Sequence, residues 1–311
     1  MTARALPNLP ARALLILTLV ALALAPRPVS GQSGRPARPD RNAPAATPAP
    51  LLRRTTTRRE VRRLGYGGSV TVYGAPEGSV TVEAWPRSEV EVTADVELSA
   101  ETEEELALLA ELNGFVLDED SNHVRVVTTG THDRKFLKRA ARKLPKKLLG
   151  LPWKIDYRIR VPAVCDLELS TGRGALTLTG VEGAVRLNAG DGPATLTLAG
   201  GDVEATMLGG PVTVRVPARS WRGRGLSVRL ASGDLAVELP ANFSGEVNAE
   251  VLRAGRVENT HAGLAPRERT QPTERSLRAR AGPGGAALSF TVGDGTLRIR
   301  QEGVKEAGGR Q

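Results

Sequence analysis

One cysteine is too few for a disulfide bond within the chain. Cys165 stands alone, so no intrachain bridge contributes to stability, and its strand parity with Leu167 reads as a small buried hydrophobe rather than a reactive thiol. Aromatic residues make up only 3% of 311, so an interior has to be aliphatic and narrow. The three histidines, His123, His132 and His261, have neither metal-ligand nor triad spacing. The apolar run from Ala13 to Ala25 falls short of the roughly 20 residues of a membrane-spanning helix. With Arg4 and Arg12 before it and Val29-Ser30-Gly31 after it, it reads as a secretory signal peptide over residues 1–31. That segment carries three arginines and no acid, so the chain, at formal net charge +9, stays basic without it. A basic balance favours anionic contacts without identifying one.

What the sequence has in abundance is periodicity. From Asp166 to Val216 it repeats every 18 residues through three passes: Leu167, Val185 and Val203 share one column, Leu169, Leu187 and Ala205 another, and Gly174, Gly192 and Gly210 a third. Each pass alternates apolar with polar residues, the period-two pattern of half-buried strands, around a glycine corner. A fixed period near 20 residues, in units too small to bury their own apolar face, implies a stacked β-solenoid over 166–301. Outward columns agree with it. Glu168, Arg186 and Glu204 would alternate in charge between neighbours roughly 4.8 Å apart, Arg173 would lie over Asp191, and Thr177, Thr195 and Thr213 would form a row. A slip of one residue would turn the leucines outward.

Upstream, residues 32–64 are rich in Pro, Ala and Arg and read as a disordered linker. Its Arg run (Arg53, Arg54, Arg58, Arg59, Arg62, Arg63) is either a solvated segment or a contact for phosphate-bearing polymers. Residues 65–165 read as a β-rich segment with two helices. The first, over 102–113, has Thr102 as cap, acids in its first turn and a stripe of Leu106, Leu109 and Leu112. The second, over 133–149, is basic and amphipathic, with Pro145 breaking it. It either covers an open sheet edge or rests on an anionic surface, and a docked stripe leaves the basic face free. Its cations Lys138, Arg139, Arg142, Lys143, Lys146 and Lys147 are the candidate site. Residues 302–311 read as a frayed tail.

Other candidates are weaker. Asp118, Asp120 and Asn122 have the one-three-five spacing of a calcium loop, but His123 stands where a glycine is needed and Thr129 where a bidentate Glu is needed, so the stretch reads as a polar hairpin turn. Trp221 among Arg219, Arg222 and Arg224 suits either a sugar or base grip or a packed loop. The outward acids Glu168, Asp191 and Glu204 fall opposite arginines, which argues against the carboxylate pair of a glycosidase. The threonine rows, only two of them complete, read as routine solvent-facing columns.

The chain resembles a bacterial family of candidate adhesins, exported proteins with a repetitive β-solenoid domain. The resemblance rests on Gly68-Ser69-Val70-Thr71-Val72 and its second copy at 78–82, the Ser-Thr-Gly-x-Gly corner at 170–174, and the ending Val292-Gly293-Asp294-Gly295-Thr296-Leu297-Arg298-Ile299. It implies a mainly β fold and brings no catalytic residue with it. The expectation is an exported, non-enzymatic, adhesin-like binding or scaffold protein of the periplasm or outer cell surface. It would need no cofactor or metal, would not recognise a specific nucleic acid, and would contact anionic lipid, acidic polysaccharide or a protein. The alternatives are a polysaccharide-active β-helix enzyme and a purely structural envelope protein.

Overall fold

The computed structural model describes residues 51–303 apart from 75, 134–137, 139–144, 268 and 269. The signal peptide, linker residues 32–50 and nearly all of the 302–311 tail therefore lie outside the described residues. Strands Leu52–Arg63 (β1), Ser69–Tyr73 (β2), Val80–Trp85 (β3) and Glu89–Ala100 (β4) precede helix Glu103–Leu112 (α1). The hairpin Gly114–Asp120 (β5) and His123–Thr129 (β6) follows, then Trp153–Pro162 (β7). The three repeating passes are Asp166–Thr171 (β8) with Leu176–Thr179 (β9), Ala184–Asp191 (β10) with Ala194–Thr197 (β11), and Gly200–Gly209 (β12) with Val212–Arg215 (β13). Arg222–Ser232 (β14), Leu235–Leu239 (β15), Gly245–Val251 (β16), Gly255–Asn259 (β17), Ala265–Pro266 (β18), Ser276–Ala281 (β19) and the long Ala287–Gln301 (β20) complete the order. The fold is mainly β, its strands joined into a nearly closed, barrel-like sheet.

Two parallel ladders carry the 18-residue register. In one, Val185 pairs with Leu167 on one side and Val203 on the other; in the second, Ala194 pairs with Leu176 and Val212. Alternate residues point inward, and Leu169, Leu187, Leu178, Leu196 and Val214 are buried. A fully buried aliphatic contributes about 1.5–3 kcal/mol, so a one-residue slip would forfeit several such terms at once.

The same ladders run through the segment read separately as 65–165. Val70 of β2 pairs with Leu167 and with Val124 of β6, and Val80 of β3 pairs with Leu176 and with Tyr157 of β7. At the other end β20 bends at Gly293-Asp294-Gly295 and serves both ladders. Phe290 lies between Val228 and Ala249, and Leu297 between Leu235 and Val257. The last strand in sequence is thus inserted between two earlier passes. Its composition suits an interior place, since Leu288, Phe290, Val292, Leu297 and Ile299 are all buried.

Leu52–Arg63 corrects the reading of 32–64 as linker. It is a strand of 12 residues, antiparallel to β4 from Leu52↔Ala100 to Arg63↔Glu89. The reason is charge complementarity across the pair. Arg53 faces Glu97, Arg59 reaches Glu91, and Thr57 donates to Asp95 at 2.6 Å. On the opposite face Arg54 pairs with Glu103 of α1, Arg62 with Glu60, and the Arg58 guanidinium lies 4.7 Å from the centre of the Phe115 ring. A segment with too little apolar content to fold by burial is ordered by acids on its neighbours.

The glycine corner is the tightest point of the stack. Gly174, Gly192 and Gly210 all have positive φ, and a Cβ on Gly210 would lie 2.3 Å from the carbonyl oxygen of Gly192, itself placed the same way over Gly174. Gly210→Ala is expected to lower stability by about 3 kcal/mol, combining left-handed strain with a backbone clash. Gly67→Ala, at φ +68 with open space around the new methyl, is expected to cost only about 1 kcal/mol. Urea denaturation of the two variants checks the difference.

Candidate anionic-surface site

Of the six cations read as a site, Lys138, Lys146 and Lys147 are described and exposed; Arg139, Arg142 and Lys143 lie outside the described residues. Most of the helix read over 133–149 lies outside the described residues; its end, Lys146–Gly150, is a 3-10 turn rather than α-helix, beginning after Pro145, which has no N–H to donate. Buried Leu148 anchors the turn.

Lys147 has a local partner. Its ammonium pairs with Glu105, a buried residue of α1. Thr102 caps that helix by accepting from Glu105 N at 3.2 Å, and the Glu105 carboxylate accepts from Glu101 N at 3.1 Å. Lys147 is the main cause holding the Glu105 carboxyl below the ordinary carboxylate range. The contact ties the basic segment to the acidic helix, leaving Lys138 and Lys146 as the described cations turned outward. Just upstream, Thr131 N donates to Asn113 Oδ1 at 2.9 Å, and the His132 ring lies 5.2 Å from Trp153.

Elsewhere guanidinium–carboxylate ladders occupy the outer faces. Glu91 lies between Arg59 and Arg160, and Glu238 between Arg215 and Arg300, with Arg–Glu distances of 2.5–3.5 Å. Glu168, Arg186 and Glu204 share the predicted column. Arg173, however, turns to Glu77 at 3.7 Å rather than to Asp191. The threonine row is one longer than expected, because Thr81 pairs with Thr177.

The remaining candidates are occupied by structural roles. Asp118 holds Arg125 at 2.5 Å, and Asn122 accepts from Gly65 N at 2.7 Å. Among the described residues no group of three or more His, Cys, Asp or Glu side chains is placed to hold a metal ion. Trp221 is buried and its indole N–H donates to Gly201 O at 3.0 Å, while Arg222 and Arg224 pair with Glu182 and Asp202; the indole is packing, not a grip. Burial pushes the Cys165 thiol up to about 12, as suits an inert core residue.

No protein-family model matches the chain. No curated protein sequence matches it either. Solved structures do. A candidate cell adhesion protein from Clostridium sporogenes is 11% identical, with 79% of this chain and 100% of that one covered and a TM-score of 0.44. A candidate adhesin from Bacteroides fragilis is 9% identical over 79% of this chain and 97% of that one, at TM-score 0.25. A candidate lipid-binding protein from Parabacteroides distasonis has the same identity and coverages at TM-score 0.19. At such identities and TM-scores the functional reading rests on the chain's own surfaces.

Those surfaces are sensitive to pH in a defined direction. The hydrogen bond from Arg59 is the main cause holding the Glu91 carboxyl low. For Glu238 burial pulls upward, but the bonds from Arg300 and Arg215 together outweigh it. A carboxyl held low in the folded chain contributes stability that is complete above its unfolded value, roughly pH 4.3, and is lost as pH falls through the folded value. The urea midpoint is expected to stay level from about pH 7 to 5 and to drop below about 4. Glu238→Gln should start lower at neutral pH and lose less on acidification, which a pH series of denaturation curves measures.

Proposed function

We propose that the chain is an exported, non-enzymatic, adhesin-like binding or scaffold protein of the bacterial cell envelope. In this reading residues 166–301 form a β-solenoid of 18-residue coils, and the basic segment with Lys138, Arg139, Arg142, Lys143, Lys146 and Lys147 contacts anionic lipid or acidic polysaccharide. One observation carries it: many outward arginines of the ladders meet acids such as Glu91, Glu238 and Asp294, whereas Lys138 and Lys146 are exposed and form no ion pair among the described residues, and the acid that reaches this segment, Glu105, is taken by Lys147. Unmatched cations attract an anionic surface, each worth about 1 kcal/mol near a charged bilayer. Among the described residues no helix is long and apolar enough to cross a membrane.

The protein is expected to bind vesicles containing anionic lipid, or an acidic polysaccharide, with an affinity that falls as salt rises. Changing the six cations to Gln should remove most of that binding, measured by co-sedimentation. Lys147→Gln alone is expected to lower stability by releasing Glu105 while leaving most of the binding. Equal weak binding by wild type and the six-Gln variant at low salt would refute the reading.

A further inference from the structure

At the opposite end of the ladders from the basic segment, the sheet face of β16, β19 and β20 carries an open cleft of about 680 Å³. That lies within the 300–1,000 Å³ typical of ligand pockets. The floor is made of side chains at alternate positions of paired strands: Asn248 opposite Ser289 and Arg278, and Glu250 opposite Thr291 and Ser276. Short polar residues dominate, and that leaves the trough open. Arg267, Thr270 and Gln271 form a wall.

The wall is held in place. Arg267 N donates to Arg278 O at 2.9 Å, its guanidinium pairs with Glu246 at 3.2 Å, and Thr270 donates through both its amide and its hydroxyl to Arg267 O. Upstream, buried His261 bonds Pro240 O at 2.9 Å and accepts from Gly263 N, fixing the start of the loop. Preorganisation of this kind lowers the ordering cost of binding. Arg278 and Glu250 are the charged side chains of the floor; both are exposed, and among the described residues neither forms an ion pair. Such a surface offers one guanidinium fork for a carboxylate, one carboxylate that accepts hydroxyl protons, and a row of hydroxyl and amide groups. It offers no exposed aromatic ring or broad apolar wall.

We propose that this trough binds a short acidic oligosaccharide segment of the uronate type, with the sugar carboxylate on Arg278 and ring hydroxyls on Glu250, Asn248, Ser289 and Thr291. The site is separate from the basic segment and does not depend on it. Calorimetric titration of the whole chain with an oligogalacturonate, beside a neutral maltooligosaccharide of equal length, tests the assignment. Saturable binding of the acidic sugar is expected, stronger than that of the neutral one. It should weaken about tenfold or more in Arg278→Gln, be blocked by Ser289→Trp, which fills the floor without adding charge, and persist in the six-Gln variant of the basic segment. Arg278 is exposed, so its variant decides even if Ser289→Trp folds poorly. No binding by the wild type, binding that Arg278→Gln leaves intact, or binding that disappears in the six-Gln variant instead would each overturn the assignment.

Discussion

The stack depends on how closely its corners approach one another. Gly78, Gly174, Gly192, Gly210, Gly233, Gly295 and Gly255 follow one another along a single edge, each at positive φ, and a Cβ on any of them would lie 1.9–2.3 Å from a backbone carbonyl oxygen of its neighbour. Only residues without a side chain allow the ladders to turn there at strand spacing. The two ladders, the buried aliphatic columns between them and the aligned outer columns all inherit their register from that edge. A shorter set, Gly183, Gly201 and Gly223, with contacts of 2.2–2.5 Å, acts in the same way at a second corner.

Given that register, the outer faces are arranged by electrostatics. Arginines and glutamates on adjacent strands meet repeatedly, and even β1, with little apolar content to bury, is ordered by them. Exposed pairs are individually worth little, about 0–1 kcal/mol. Their effect here is to specify pairing, since they sit on strands whose inward residues already supply the driving force. Among the described residues such matching is absent at Lys138 and Lys146 of the basic segment and at Arg278 and Glu250 in the trough beside Arg267, Thr270 and Gln271.

Much of this was legible in the residues. The alternation from Asp166 to Val216 contains the ladder register because inward leucines and valines have to recur at the strand period, and the Thr102 cap with its acidic first turn marks α1. Four features were not legible. The partners of β1 are acids some 30–50 positions away in the chain, and local composition looks the same in a solvated linker and a salt-bridged edge. The place of β20 is a long-range choice between parallel neighbours, and period-two alternation does not say which strands lie beside it. The trough depends on a loop folding back over a sheet face, and the only local hint was a floor of Ser, Thr and Asn opposite one another. The candidate cations were found by charge alone, so the sequence could not show that Lys147 is engaged by Glu105.

The insertion of Ala287–Gln301 between two earlier passes bears on assembly. A chain of stacked repeats ordinarily grows by adding each unit to the one just made, through contacts close in sequence. Here the strands of the passes at 222–239 and 245–259 are not paired with each other, the strand from 287 onward lying between them, and at the other end β2 and β3 take partners from 123–162 and 166–179. Both ends are sealed by pairings of high sequence separation, which form slowly. The stack therefore closes late and as a whole, and losing the last strand would unmake the end of the molecule rather than shorten it by one step.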